Sequence, residues 1–194
     1  MGEILKAYMV PNPPIIVPEI GKGQEEPARS TIDAYERVAR QIKELAPETI
    51  IITTPHGTAY SDYIHIMPGK RLKGSFRNFN APEVRFEFEN DLKLIEKITE
   101  KALECGIEAG TLGAADKELD HGSLVPLYYI TKYYTDFSIV RISISGLTLL
   151  QHYIFGSCIQ KAVASHDKKT VFVASGDLSH RLKDDGPYGF AEEG

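Results

Sequence analysis

The stretch Thr49-Ile50-Ile51-Ile52-Thr53-Thr54-Pro55-His56-Gly57 decides how this chain folds. Six apolar or β-branched residues in a row, with no polar alternation, describe a strand covered on both faces, as the strands of parallel sheets are. Pro55 stops the ladder because it has no N–H to give, and Gly57 lets the backbone turn away. The same apolar signature recurs at residues 137–144 and 170–175, and a shorter run at residues 4–10 ends at Pro11, Pro13 and Pro14. Between these strands lie helix patterns. Over residues 28–45, Ile32, Tyr35, Val38, Ala39, Ile42 and Leu45 recur at helical spacing with Lys and Arg between them. Asn90 is expected to cap a helix whose apolar face is Leu92, Ile95, Ile98, Ala102 and Cys105, and further helices are expected over residues 123–134 and 149–165. Residues 84–88 alternate as a half-exposed strand, residues 107–112 predict a short strand, and residues 60–82 form an excursion or hairpin. Alternating strands and helices make an α/β fold, a three-layer α/β/α sandwich with a mainly parallel central sheet.

With 194 residues, one domain spanning residues 1–194 is the natural reading. Hydrophobic residues at 42% and charged residues at 25% exclude a disordered or collagen-like chain. A net charge of −5 lacks the footprint of a nucleic-acid binder, and Lys70-Arg71-Leu72-Lys73 reads as a solvated loop face. The two cysteines, Cys105 and Cys158, fall inside expected helices and read as buried thiols in a reducing compartment. No apolar run approaches a membrane span, and a cytoplasmic location is the expectation.

In open α/β sheets ligands bind beyond the carboxyl ends of the strands. Three of the six histidines fall at such places: His56 after the strand 49–54, His180 in Gly176-Asp177-Leu178-Ser179-His180 after the strand 170–175, and His121 in Leu119-Asp120-His121-Gly122 before a helix. Each has a glycine or turn residue beside it, which keeps the ring accessible. His65, His152 and His166 are accounted for by packing, solvation or a helix C-terminus. No Gly-x-Ser-x-Gly elbow is present, and the glycines of Gly21-Lys22-Gly23 lack the strand and helix that a phosphate loop needs.

Pro11-Asn12-Pro13-Pro14 with the following residues to Gly21, Pro55-His56-Gly57, Leu119-Asp120-His121-Gly122 and Ser175-Gly176-Asp177-Leu178-Ser179-His180, in this order, resemble the class III extradiol ring-cleavage dioxygenases of the LigB type. More narrowly the chain is similar to the dioxygenase-like part of AmmeMemoRadiSam system protein A, and more distantly to the Memo proteins. The resemblance implies a non-haem Fe(II) oxidoreductase that opens a catechol-type or related small aromatic ring with dioxygen. It implies that His56 is a metal ligand, that His180 is the acid–base catalyst, and that His121 lies beside the substrate. Asn12 stands where the family's first histidine ligand stands, and an amide oxygen is a poorer ligand for ferrous iron than an imidazole. The family's glutamate ligand comes from beyond the last motif. Asp177 and Asp120 are candidate orienters of the neighbouring histidines, or local turn caps.

These observations leave three expectations: an extradiol-type oxygenase, a non-catalytic Memo-like member that binds a small molecule or protein in the same cleft, and a metal-dependent hydrolase. The stretch Asp184-Asp185-Gly186-Pro187-Tyr188-Gly189-Phe190 reads as the entrance to a further helix, so the domain is expected to be C-terminally incomplete, with the glutamate ligand and a fused or separate second domain outside it. A homo-oligomer is the other assembly the family allows.

Overall fold

The computed structural model describes residues 2–114 and 116–193. In chain order the elements are β1 (Glu3–Val10), α1 (Pro18–Gly21), α2 (Arg29–Leu45), β2 (Thr49–Thr54), β3 (Ile64–His65), β4 (Arg71–Phe76), β5 (Ala81–Glu89), α3 (Leu92–Glu104), β6 (Ala109–Gly110), α4 (His121–Thr131), β7 (Ser138–Ser143), α5 (Leu149–Ala164) and β8 (Lys169–Ser175). Four of these strands form one all-parallel sheet in the order β1-β8-β2-β7.

The run of three isoleucines in β2 shows why the sheet is buried on both faces. Side chains alternate across a strand. Ile50 and Ile52 therefore join one core, with Val171 and Val173 of β8 and the apolar faces of α2 and α4, while Ile51 joins the other, with Val140 and Ile142 of β7 and the faces of α3 and α5. The result is three layers, helices over both faces of a parallel sheet. α4 is buried from Gly122 to Ile130 and so has no polar face.

Residues 60–82 leave the sheet to form β3, which pairs with β6, and β4, which pairs antiparallel with β5. The basic run expected as a loop face is instead the start of this hairpin. Leu72 is buried in the core, while Arg71 pairs with Glu87 and Glu89 on the solvent side. The strand expected over residues 107–112 shrinks to Ala109–Gly110.

The cap of α3 is Asp91 rather than Asn90. Asp91 accepts from the Leu94 N–H at 3.1 Å, and the Asn90 amide is committed to the Met67 and Gly69 carbonyls at 2.9 Å. Asp91 also accepts from Thr49 Oγ1 (2.7 Å), His166 Nε2 (2.9 Å) and Lys168 Nζ (2.8 Å). Burial pushes this carboxyl up, but the donors from Lys168, Thr49, His166 and Leu94 outweigh it and leave the pKa at about 2. Cys158 is buried, whereas Cys105, one residue past α3, is exposed and departs from the expectation of two buried thiols. The stretch from Asp184 makes turns closed by a bridge between Leu182 and Phe190, with no helical turn among the described residues. No helix among the described residues is long and apolar enough to cross a membrane.

Candidate active site

The parallel strands all end on one edge, and three motif segments leave from it: Pro11-Asn12-Pro13 after β1, Pro55-His56-Gly57 after β2, and Gly176-Asp177 after β8. The N-terminus of α4 brings His121 to the same edge. The His56 and His121 rings lie with centroids 4.0 Å apart, and Phe79, from the excursion before β5, meets His121 edge-on at 5.2 Å.

The loop bearing Asn12 is stapled to the core. The hydroxyl of Tyr35 donates to the Pro11 carbonyl and that of Tyr129 to the Ile16 carbonyl, and the two phenol rings stack at 4.6 Å. Asn12, 1% exposed, gives its backbone N–H to Asp177 Oδ1 at 3.4 Å, and the other oxygen of Asp177 meets His180 Nε2 at 2.9 Å. His180 is exposed and stacks on Tyr188 at 5.1 Å. An open cavity of ≈ 680 Å³ lies along this side, lined by Met9, Pro11, Pro13, Asp177, Leu178 and His180. Contacts therefore run from His121 through His56, Asn12 and Asp177 to His180.

The direction of the hydrogen bonds in this row follows from one proline. Pro126 sits inside α4 and has no N–H to give to the carbonyl four residues earlier, that of Gly122. The hydroxyl of Ser175, at the end of β8, donates to that carbonyl at 2.5 Å. With its proton spent there, Ser175 Oγ accepts from Asn12 Nδ2 at 3.0 Å, which turns Asn12 Oδ1 toward His56 Nε2 at 3.3 Å. Because an amide oxygen only accepts, His56 carries its proton on Nε2.

Beneath the imidazoles sits a residue that the apolar reading of β7 passed over. Arg141 is fully buried, donates to Asp116 (2.7 Å), Asp120 (2.9 Å) and Ser143 (2.9 Å), and packs against the backbone of Gly57. A Cβ on Gly57 would lie 1.6 Å from Arg141 Nη2, and one on Gly122 would lie 2.4 Å from Thr54 Oγ1 and 2.9 Å from His56 Cδ2. Both motif glycines are thus required by close approach. Asp120 caps α4 through the Ser123 N–H (3.1 Å), accepts from Thr54 Oγ1 (2.6 Å) and pairs with Arg141. Its oxygens go to these groups and to the Ser123 hydroxyl, which donates to Oδ2 at 3.1 Å. Burial raises the Asp120 pKa, but Arg141 and the hydrogen bonds outweigh it, so the carboxyl stays below its usual range. At Asp116 burial is likewise outweighed, there by Thr58 and Arg141. His121 is pushed down, first by burial and then by His56, so its ring is neutral at pH 7.

The remaining histidines lie elsewhere. His65 is buried with neither ring nitrogen hydrogen-bonded, and is held neutral by burial and by nearby Arg141. His152 meets the Thr148 carbonyl and Ser145, and His166 meets Asp91.

A 2-His-1-carboxylate iron centre asks for two imidazoles and a carboxylate around one ion. Toward it this stretch of chain offers His56 and Asn12, which are hydrogen-bonded to each other, with the His56 Nε2 lone pair used for a proton. No cluster of three His, Cys, Asp or Glu side chains able to hold a metal occurs among the described residues. These donors do not fit a complete ferrous centre.

A Clostridium acetobutylicum protein is 43% identical over 196 residues, covering 96% of this chain and 42% of that protein. The 3,4-dihydroxyphenylacetate 2,3-dioxygenase of Escherichia coli is 27% identical over 95% of this chain and 69% of its own length. The 2-aminophenol 1,6-dioxygenase beta subunit of a Pseudomonas species is 26% identical over 92% of this chain and 63% of its own. The chain therefore spans less than half of the Clostridium relative and about two thirds of the two dioxygenases. The family model described as the catalytic LigB subunit of aromatic ring-opening dioxygenase matches residues 6–193. Nearly the whole stretch is thereby accounted for, and the chain belongs to the LigB family.

Proposed function

We propose that this chain binds a small aromatic compound with two neighbouring hydroxyl, or hydroxyl and amino, groups, and serves its oxidative ring opening by dioxygen as an extradiol-type dioxygenase. The observation that supports this most is the pairing of His56 and His121 beside Phe79, continued through Asn12 and Asp177 to His180. The substrates named in two relatives, 3,4-dihydroxyphenylacetate and 2-aminophenol, share the vicinal pair of polar substituents. In this reading Phe79 and His121 contact the ring and its hydroxyl edge. A neutral His121 both gives and takes a hydrogen bond there without introducing charge. His180, backed by Asp177, accepts a hydroxyl proton, and the carboxylate steadies the imidazolium that results. Ferrous iron is the metal that family membership favours; His56 would be the ligand this stretch offers it, and the iron would supply the contact between substrate and dioxygen. Two thiols without a disulfide suit a cytoplasmic setting.

The test is anaerobic calorimetric titration with 3,4-dihydroxyphenylacetate and with 2-aminophenol, followed by oxygen uptake after Fe(II) is added. Saturable binding that weakens by about tenfold in His121→Ala is expected, equivalent to about 1.4 kcal/mol, the size of one hydrogen bond. Absence of saturation below about 1 mM overturns the reading. The hydrogen bond between Asn12 and His56 favours a second reading, a member that binds the aromatic without turning it over. Its mark is saturable binding with no oxygen uptake after iron loading.

A further inference from the structure

Two segments far apart in sequence bring exposed apolar side chains to one end of the histidine row. Met9, near the end of the edge strand β1, is 66% exposed, and Leu178 and Leu182, on either side of His180, are 86% and 63% exposed. With Pro11 and Pro13 they wall the open cavity of ≈ 680 Å³ that Asp177 and His180 also line. Single exposed apolar residues are ordinary, but several converging on one concavity mark a ligand groove. An apolar void of about 150 Å³ already takes a benzene ring, so one ring leaves most of this cavity unfilled. Its charge is one-sided. Among the described residues no lysine or arginine lines it, and its ionisable side chains are Asp177 and His180. Arg181, next in sequence, gives its guanidinium to the Phe190 carbonyl at 3.5 Å.

We propose that this cavity takes an uncharged apolar substituent of the ring, so that the ligand is an alkyl-substituted vicinal diol or aminophenol rather than a carboxylated one. This assignment rests on the ring-binding reading above and adds the part of the ligand which that reading leaves open. His180 belongs both to the row of imidazoles and to the cavity wall, so a ring that gives a hydroxyl to His180 stands beside the cavity. A substituent entering there meets Met9, Leu178 and Leu182. Each methylene withdrawn from water tightens binding by up to about fourfold, equivalent to about 0.8 kcal/mol. A carboxylate in the same place meets the Asp177 carboxylate and no cation, and loses its water without gaining a partner. The compound 3,4-dihydroxyphenylacetate, named in one relative, carries such a carboxylate and is therefore a weaker ligand here than 4-ethylcatechol.

The experiment is anaerobic calorimetry on the full chain with catechol, 4-methylcatechol, 4-ethylcatechol, 4-butylcatechol, 2-aminophenol and 3,4-dihydroxyphenylacetate. Affinity is expected to rise by about two- to fourfold per methylene along the alkyl series. The carboxylated compound should bind about tenfold more weakly than 4-ethylcatechol. Met9→Lys, an exposed change that puts a cation on the wall, should flatten the alkyl series and bring 3,4-dihydroxyphenylacetate level with 4-ethylcatechol or ahead of it. Leu149→Lys, at an exposed position of α5 outside the cavity, should leave the series unchanged. Saturable binding of catechol or 2-aminophenol with no gain along the alkyl series, or a gain that Met9→Lys leaves intact, overturns the substituent site while the ring-binding reading stands. If no compound of the set saturates below about 1 mM, both fall.

Discussion

Replacing Arg141 by Met keeps most of the side-chain volume and removes the charge, which isolates what the guanidinium does. Arg141 is 0% exposed and its partners Asp116 and Asp120 are 28% and 10% exposed, so the change leaves two carboxylates facing a low-dielectric space with no counter-ion. Breaking a buried pair in this way costs about 3–5 kcal/mol. The pH dependence gives the sign. In the wild type, Asp120 and Asp116 lie below the usual carboxylate range, so their contribution is present above the unfolded value of about 3.9 and is lost as pH falls through their folded values. In Arg141→Met the burial of Asp120 is opposed only by the Thr54 and Ser123 hydrogen bonds, and its folded pKa rises above the unfolded one. The variant therefore gains stability as pH falls from 7 toward 5, and its gap to the wild type narrows. Urea unfolding followed by circular dichroism at several pH values measures this. Asp120→Asn, which keeps an oxygen for the Ser123 N–H and Thr54, should be less harmful in the Arg141→Met background than alone, with a coupling of about 1–3 kcal/mol. Parallel stability curves at every pH, or an additive double mutant, would refute the account of Arg141 as the counter-ion beneath the imidazoles.

Gly57→Ala places a methyl 1.6 Å from Arg141 Nη2, and loss of about 1–3 kcal/mol in thermal or urea unfolding is expected. Asp91→Asn keeps an acceptor for the Leu94 N–H but removes the charge held at a pKa of about 2; it should cost about 2 kcal/mol at pH 7, with the deficit vanishing as pH drops from about 4 to 2. Ser175→Ala leaves the Asn12 amide without its acceptor and free to turn, so nitrogen NMR of His56 should move from a single Nε2-protonated tautomer toward a mixture; an unchanged spectrum would show that Ser175 does not set it. Asn12→His puts a second imidazole beside His56, and tighter Co(II) binding by absorption titration is expected; affinity no higher than in the wild type would count against Asn12 as the weak member of the set.

The fold was legible because burial on both faces leaves a mark in one dimension. β2, β7 and β8 are apolar runs, and the alternation of Ile50, Ile51 and Ile52 between two cores is a direct consequence of strand geometry. The three histidine motifs were legible as strand and helix ends. Arg141 left a readable signal, a single charge in the middle of Ser-Ile-Val-Arg-Ile-Ser, since a buried guanidinium must have partners. Which partners could not be read, because Asp116 and Asp120 arrive from a loop distant in sequence. The cap of α3 went to the second of two adjacent candidates because the Asn90 amide is taken by carbonyls of the β3–β4 connection. Phe79 reaches His121 only because the excursion folds back as a hairpin, and nothing in residues 60–82 marks that contact.

Pro126 has the longest reach of any residue outside the motifs. On propensity it is a fault in α4, removing a hydrogen bond from a helix interior at about 3 kcal/mol. Here the Gly122 carbonyl it leaves unpaired is taken by Ser175, and that single donation sets the direction of each following bond, through Asn12 to the proton on His56 Nε2. A metal bound through that nitrogen would have to displace the proton and the bond to Asn12, so under the proposed iron-dependent reading its affinity would be set by a competition between coordination and a hydrogen-bond row anchored at a helix defect. Substituting Asn12 alone changes one ligand. Changing Ser175 or Pro126 shifts the competition itself without touching any group that faces the ligand, so those two positions separate the oxygenase reading from the binding-only reading more cleanly than another change among the histidines would.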